Sequence, residues 1–213
     1  MKKHVYALIL LIVLLSGCSN QTQQQTVITV SAASSLSDVL QDVAAQFQEE
    51  HPTISIQFNF GASGSLKEQI EQGAPVDLFL SASSEKYEEL VNEQLIDNSV
   101  NLASNEIVLI TSVKSTVNLH EFSDLVHDDI EKIAIGTPTV VPAGTYGKQV
   151  LHDYDVWTST ENKIVYAKDV RQVLTYVETN NAQAGIVYKT DALASEKVRI
   201  VKTAEKSSHD TIF

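Results

Sequence analysis

Four short turns hold the residues best suited to gripping a ligand: Ser34-Ser35, Ser63-Gly64, Pro142-Ala143-Gly144 and Asp169-Val170. Each lies just before or at the start of a stretch with helical periodicity. The first turn of a helix leaves backbone N–H groups unpaired and carries partial positive charge. Several such termini aimed at one point make an anion site. Any single one of these turns reads first as an ordinary helix cap; only the four together point to an anion site. Such a site offers donors only, which suits a fully deprotonated tetrahedral dianion and has no acceptor for a protonated phosphate.

Other chemistries fit less well. Gly61-Ala-Ser63-Gly-Ser65 falls one residue short of the nucleophile elbow G-x-S-x-G, because Ser65 replaces the last glycine. His4, His51, His120, His127, His152 and His209 lie in no supporting motif, so a serine hydrolase lacks its base. No glycine loop is followed by G-K-[ST], which excludes a P-loop. His120 and His127, with Asp128 and Asp129, are spaced more widely than metal ligands normally are. Tyr146, Tyr166 and Tyr188 could hold ferric ion as phenolates, but scattered tyrosines also read as packing with a wet hydroxyl. The acid-rich stretch Glu85–Glu93 reads as a solvated helix face.

The elements around these turns alternate. Val27–Val30 reads as a strand, and apolar residues at helical spacing run from Leu36 to about Glu50. Strands at Ile54–Phe60 and Val76–Leu80 follow, with helices at Leu66–Gln72 and Glu85–Asn92. The order β-α-β-α-β-α predicts a mostly parallel sheet with helices on both faces. Ile107–Thr111 is a long apolar strand, after which the same logic recurs. Strands are expected at Ile133–Gly136, Lys163–Tyr166, Ala184–Tyr188 and Val198–Val201, and helices at Gly144–His152 and Val170–Glu178. The fold class is therefore α/β, with two lobes joined near 105–111 and a cleft between them for a ligand.

The chain has 213 residues, 43% hydrophobic and 20% charged, the composition of a globular protein with a real core. Its formal charge of −12, with no basic cluster, argues against nucleic-acid binding. A single cysteine excludes an internal disulfide framework and a multi-thiolate metal site. Lys2 and Lys3 begin the chain, and Val5–Leu15 is apolar but shorter than the ~20 residues of a membrane span. Leu15-Ser16-Gly17-Cys18 follows and resembles a bacterial lipobox. Residues 1–17 are thus expected to be a signal peptide, Cys18 the lipidated anchor, and 18–26 a flexible tether. Removing 1–17 takes two lysines and no acids, leaving a charge of −14. An anion would then be held by local neutral donors rather than by long-range attraction, which is screened over ~8 Å.

Ser31-Ala-Ala-Ser-Ser-Leu36, Gly73-Ala-Pro-Val-Asp-Leu-Phe79, Val141-Pro-Ala-Gly-Thr-Tyr146, Asp169-Val-Arg171 and Gly185-Ile-Val-Tyr-Lys-Thr-Asp-Ala192 occur in that order. Together they resemble the molybdate-binding proteins of bacterial ABC importers, from about Val27 to the C-terminus. The resemblance implies the two-lobed periplasmic-binding-protein type II fold, each lobe a mixed, mostly parallel sheet flanked by helices. It implies lobe 1 at 27–104, a crossover strand at 105–111, lobe 2 at 112–205, and the start of a return crossover at 206–213. It places the ligand positions at Ser35, Ser63, Ala143, Val170 and Tyr188, with Ala143 and Val170 contributing backbone N–H only. The ligand would be molybdate or tungstate, with sulfate excluded by cavity size. No cofactor and no bare metal ion is expected. The partners would be an ABC permease and, through Cys18, the outer face of the cell membrane, with the protein a monomer. Proteins of this kind usually continue beyond the equivalent of Phe213. The resemblance therefore implies an under-packed first lobe and weak binding unless a further segment is restored. The alternatives are a binding protein for sulfate or phosphate, a secreted serine hydrolase, and a truncated paralogue without function.

Overall fold

The computed structural model describes residues 25–212. The expected signal peptide, Cys18 and most of the tether lie outside the described residues. No helix of the described residues is long and apolar enough to cross a membrane.

The first lobe is built from β1 (Thr26–Ala33), a 3-10 turn (Ser34–Leu36), α1 (Ser37–Glu50), β2 (Ile54–Gly61), α2 (Ser63–Glu71), β3 (Leu78–Leu80) and α3 (Ser84–Asn92). Its sheet has the order β2-β1-β3 with every pairing parallel. β3 begins two residues later than periodicity predicts. Asp77 takes the place of a ladder residue: its N–H donates to Thr29 O at 2.9 Å, and its carboxylate accepts from Thr29 N at 2.8 Å. The core here is thin. Val30, Leu66 and Leu90 are buried, whereas Val39, Val43 and Leu78 are each more than half exposed.

The second lobe contains β4 (Ile107–Ser112), β5 (Ile133–Gly136), α4 (Pro142–Asp153), α5 (Trp157–Thr160), β6 (Ile164–Ala167), α6 (Val170–Glu178), β7 (Ala184–Tyr188), α7 (Lys189–Leu193) and β8 (Val198–Thr203). The sheet order is β6-β5-β7-β4-β8, and β4 runs antiparallel to both of its neighbours. The other pairings are parallel. β4, read as the link between lobes, pairs wholly inside this sheet, and the passage between sheets falls at 93–106.

This lobe holds the main core. Ile107, Val108, Leu109 and Ile110 of β4 are fully buried, as are Ile133 and Ile135 of β5 and Ile186 and Val187 of β7. Each such side chain contributes roughly 1.5–3 kcal/mol of burial. α6 buries Val170, Val173, Leu174 and Val177, the stripe its 3.6-residue period predicts. Gly147 of α4 lies against Ile186, and Gly185 lies against Val173 and Val177 of α6. Neighbouring residues of one strand point to opposite faces, so α4 and α6 cover opposite sides of the sheet. The last described residues stay on this lobe: Gln149 of α4 exchanges hydrogen bonds with Asp210, and Ile212 is buried.

Candidate functional site

The carboxyl ends of the parallel strands of both sheets meet across one small cavity. β1 delivers Ser34 and Ser35, β2 delivers Ala62 and Ser63, and the turn after β3 delivers Ala82. From the second lobe come Val141, Pro142 and Ala143, where α4 begins, Val170, where α6 begins, and Tyr188, the last residue of β7. This is where open α/β sheets place ligands.

Two of the helix starts here are bare. Neither Ala62, which precedes α2, nor Val141, which precedes α4, supplies a side-chain cap. Pro142 opens α4 and has no N–H to leave unpaired. The Ala143 and Val170 N–H groups meet no acceptor among the described hydrogen bonds. At α6 the Asp169 carboxylate caps Gln172 N at 2.8 Å and leaves the Val170 N–H to the cavity side.

Two buried hydroxyls complete the wall. Ser63 Oγ accepts from Ala82 N at 3.0 Å, and Tyr188 OH donates to Ala82 O at 3.3 Å. Burial pushes the Tyr188 phenol well above its usual range, and the charges of Tyr146 and Asp191 add to that rise. Tyr188 therefore stays a neutral donor. Among the described residues, no Asp, Glu, His, Cys, Lys or Arg lines the cavity. Its volume open to water is about 10 Å³, room for roughly one water molecule.

The lobes touch closely beside it. Gly64 N donates to Val140 O at 3.0 Å across the cleft. A Cβ at Gly64 would stand 2.8 Å from both Val140 O and Val140 Cα, so only glycine permits this approach. Within the second lobe, a Cβ at Gly144 would meet Gly136 O at 2.0 Å. That glycine lets the start of α4 sit directly on the end of β5.

The five positions singled out in the sequence, Ser35, Ser63, Ala143, Val170 and Tyr188, all line this cavity. Cys18 lies outside the described residues. Ser34, named with Ser35 in the first turn, is also buried against the cavity. One contributor was missed. Ala82 engages both Ser63 and Tyr188 through its backbone, and its carbonyl adds an acceptor to a wall expected to hold donors only. The signal was present: Ser81-Ala82-Ser83-Ser84 is one more small, polar strand-to-helix turn. The remaining candidates fall elsewhere. His120 bonds Asn118, and a 3-10 turn at Phe122–Val126 separates it from His127. Among the described residues no cluster of His, Cys, Asp and Glu could hold a metal. Tyr166 is half exposed on β6.

Known proteins are similar to this chain. The lipoprotein YvgL of Bacillus subtilis, named for ABC transporter substrate binding, is 45% identical over 206 residues, covering 93% of this chain and 78% of its own. The molybdate-binding protein ModA of Haemophilus influenzae is 34% identical over 206 residues, covering 93% and 80% respectively. The periplasmic molybdate-binding protein of Azotobacter vinelandii superimposes with a TM-score of 0.75 at 24% identity, over 87% of this chain and 82% of its own. The fold is that of the periplasmic binding proteins. The family model for bacterial extracellular solute-binding proteins matches residues 28–213. With two lobes whose strand ends and helix starts converge on one cavity, the chain belongs to the bacterial extracellular solute-binding protein family.

Proposed function

We propose that the protein binds molybdate, and equally tungstate, outside the cytoplasm and hands the oxyanion to an ABC permease. The observation that carries this reading is the cavity wall: two buried hydroxyls and unpaired N–H groups at helix starts, drawn from both lobes, with no charged side chain among them. ModA and YvgL, whose names state molybdate and ABC-transporter substrate binding, support it. Cys18 would hold the protein to the membrane surface through a lipid, and the protein would act as a monomer without a cofactor.

An oxyanion with four oxygens needs more room than one water, so the wall must widen: Tyr188 OH must leave Ala82 O to donate to the ligand, whereas Ser63 Oγ, which accepts from Ala82 N, keeps its own proton free to donate. Donors from both lobes reach it only when the lobes are together, so binding favours closure. Catalysis is not part of the proposal, because Ser63 has no base beside it in the cavity.

A thermal melt with molybdate, tungstate, sulfate and phosphate in turn tests this. A ligand at ~100 times its Kd stabilises by about 2.7 kcal/mol, several degrees in Tm. A shift with molybdate and tungstate alone supports the reading. A shift with phosphate alone would overturn it, and would point to the Ala82 carbonyl as the acceptor for a protonated oxygen.

A further inference from the structure

Beside the cavity, three charged residues join the lobes. Asp38 stands in the first turn of α1, Arg171 in the first turn of α6, and Asp191 in α7. Each is a near neighbour in sequence of a cavity residue: Ser35, Val170 and Tyr188 respectively. Arg171 Nη2 donates to both oxygens of Asp38, at 2.6 and 2.8 Å. Among the described residues this is the one ion pair that crosses between the lobes.

Asp191 is the anomaly. Its side chain is fully buried, and neither carboxylate oxygen has a hydrogen-bond partner. A buried carboxylate left in this way is costly. The nearest cation is Arg171, with Nη1 3.7 Å from Oδ1, outside hydrogen-bond range. A movement of about 0.8 Å would close that gap to a charge-assisted bond. Arg171 thus stands between two carboxylates, bonded to the one on the other lobe and just short of the one on its own.

We propose that Arg171 is a two-position latch, holding Asp38 when the lobes are together and Asp191 when they part, so that Asp38 favours closure and Asp191 opposes it. When the lobes separate, Asp38 leaves with α1, and the guanidinium is free to satisfy the buried acid. The three are positioning residues: they set the affinity of the site without touching the ligand. The inference rests on the reading that the lobes close on an oxyanion.

The charges around Asp191 agree with this. Burial pushes its carboxyl up to about 7; Arg171 and the Tyr188 N–H pull it down, and Asp38 raises it. On α7 itself, Lys189 is engaged with Glu106 at 2.7 Å. Glu178 of α6 accepts from Ser195 Oγ, β4 carries no charged residue, and Arg199 and Lys202 of β8 are exposed. With Arg171 on it in the parted state, Asp191 would titrate lower than in the closed state. Closure therefore takes up a proton, and binding tightens as pH falls from 8 to 6, a range in which molybdate stays a dianion.

The test uses the full chain, with molybdate calorimetry and a dye pair at Glu50→Cys and Glu196→Cys in a Cys18→Ser background to report lobe separation. Asp38→Asn should weaken molybdate binding about three- to tenfold and Asp191→Asn should tighten it by a similar factor. Without any oxyanion, the first should lengthen the mean dye separation and the second shorten it. In an Arg171→Gln/Asp191→Asn background, Asp38→Asn should change nothing. Wild type should bind more tightly at pH 6 than at pH 8, an arm that stands even where a melt shows a variant unfolded. Shifts of the same sign for Asp38→Asn and Asp191→Asn, or a flat pH profile in wild type, would overturn the latch. Failure of wild type to bind molybdate would count against the ligand reading, while the dye separations would still decide the latch.

Discussion

Replacing Gly64 by alanine separates closure of the lobes from stability of the fold. The new Cβ would lie 2.8 Å from Val140 O and Cα. Carbon contacts settle at about 3.5–4.0 Å, so the lobes must move apart by at least about 0.7 Å at this point. That stretches the Gly64 N to Val140 O bond from 3.0 Å to beyond hydrogen-bond range. The bond contributes about 0.5–1.5 kcal/mol, and the same shift spoils the donors brought by the opposite lobe, charge-assisted bonds of about 1.5–3 kcal/mol each. Together the loss is about 2–4 kcal/mol of binding, roughly 30- to 1,000-fold in Kd. The helix itself should gain, because Gly64 has no positive φ and alanine in a helix stabilises by about 0.4–1 kcal/mol. Calorimetry with molybdate and a melt without it, on wild type and variant, measure both quantities. Adding Val140→Gly should not restore binding, since the atoms met are all backbone. A Kd within threefold of wild type, or rescue by Val140→Gly, would refute the reasoning.

Ser63→Ala and Tyr188→Phe should each raise the molybdate Kd about 5- to 150-fold, by loss of one charge-assisted bond of ~1–3 kcal/mol, read by the same calorimetry. Gly144→Ala forces a Cβ to 2.0 Å from Gly136 O and should lower Tm by several degrees, because overpacking costs about 1–3 kcal/mol. Asp191 has its carboxyl raised to about 7 in the fold, above the usual value of 3.8. Between those values the folded state holds a proton that the unfolded chain has lost, so stability falls as pH rises through this window. The Tm gained by Asp191→Asn should therefore grow from pH 5 to about pH 7 and level off above it. Cys18→Ala should move the protein from the membrane fraction to the medium and abolish palmitate labelling; equal labelling of both forms would refute the anchor.

Most of the architecture was legible in the sequence because its signals are local. The period of α6 is carried by Val170, Val173, Leu174 and Val177, and the apolar run at Ile107–Thr111 is what a strand buried on both faces requires. The shortened β3 was not legible, because Asp77 finds its partner in Thr29, far away in sequence. α7 escaped notice because five residues carry too little periodicity to register, and with it went the setting of Asp191.

The same division runs through the site. The sequence by itself determined the α/β class and the small polar turns at strand ends, which follow from residue types and their immediate neighbours. A resemblance carried by contiguous motifs put Ser35, Ser63, Ala143, Val170 and Tyr188 forward as ligand positions. Only the tertiary structure decided that β4 runs against its neighbours in the second sheet, that Ala82 holds Ser63 and Tyr188, that Gly64 meets Val140, and that Arg171 reaches Asp38 while stopping short of Asp191. Those are relations between residues tens to more than a hundred positions apart. Which of them meet is set by how the two sheets are wound and brought together, a choice made by the whole core at once rather than by any local stretch of chain.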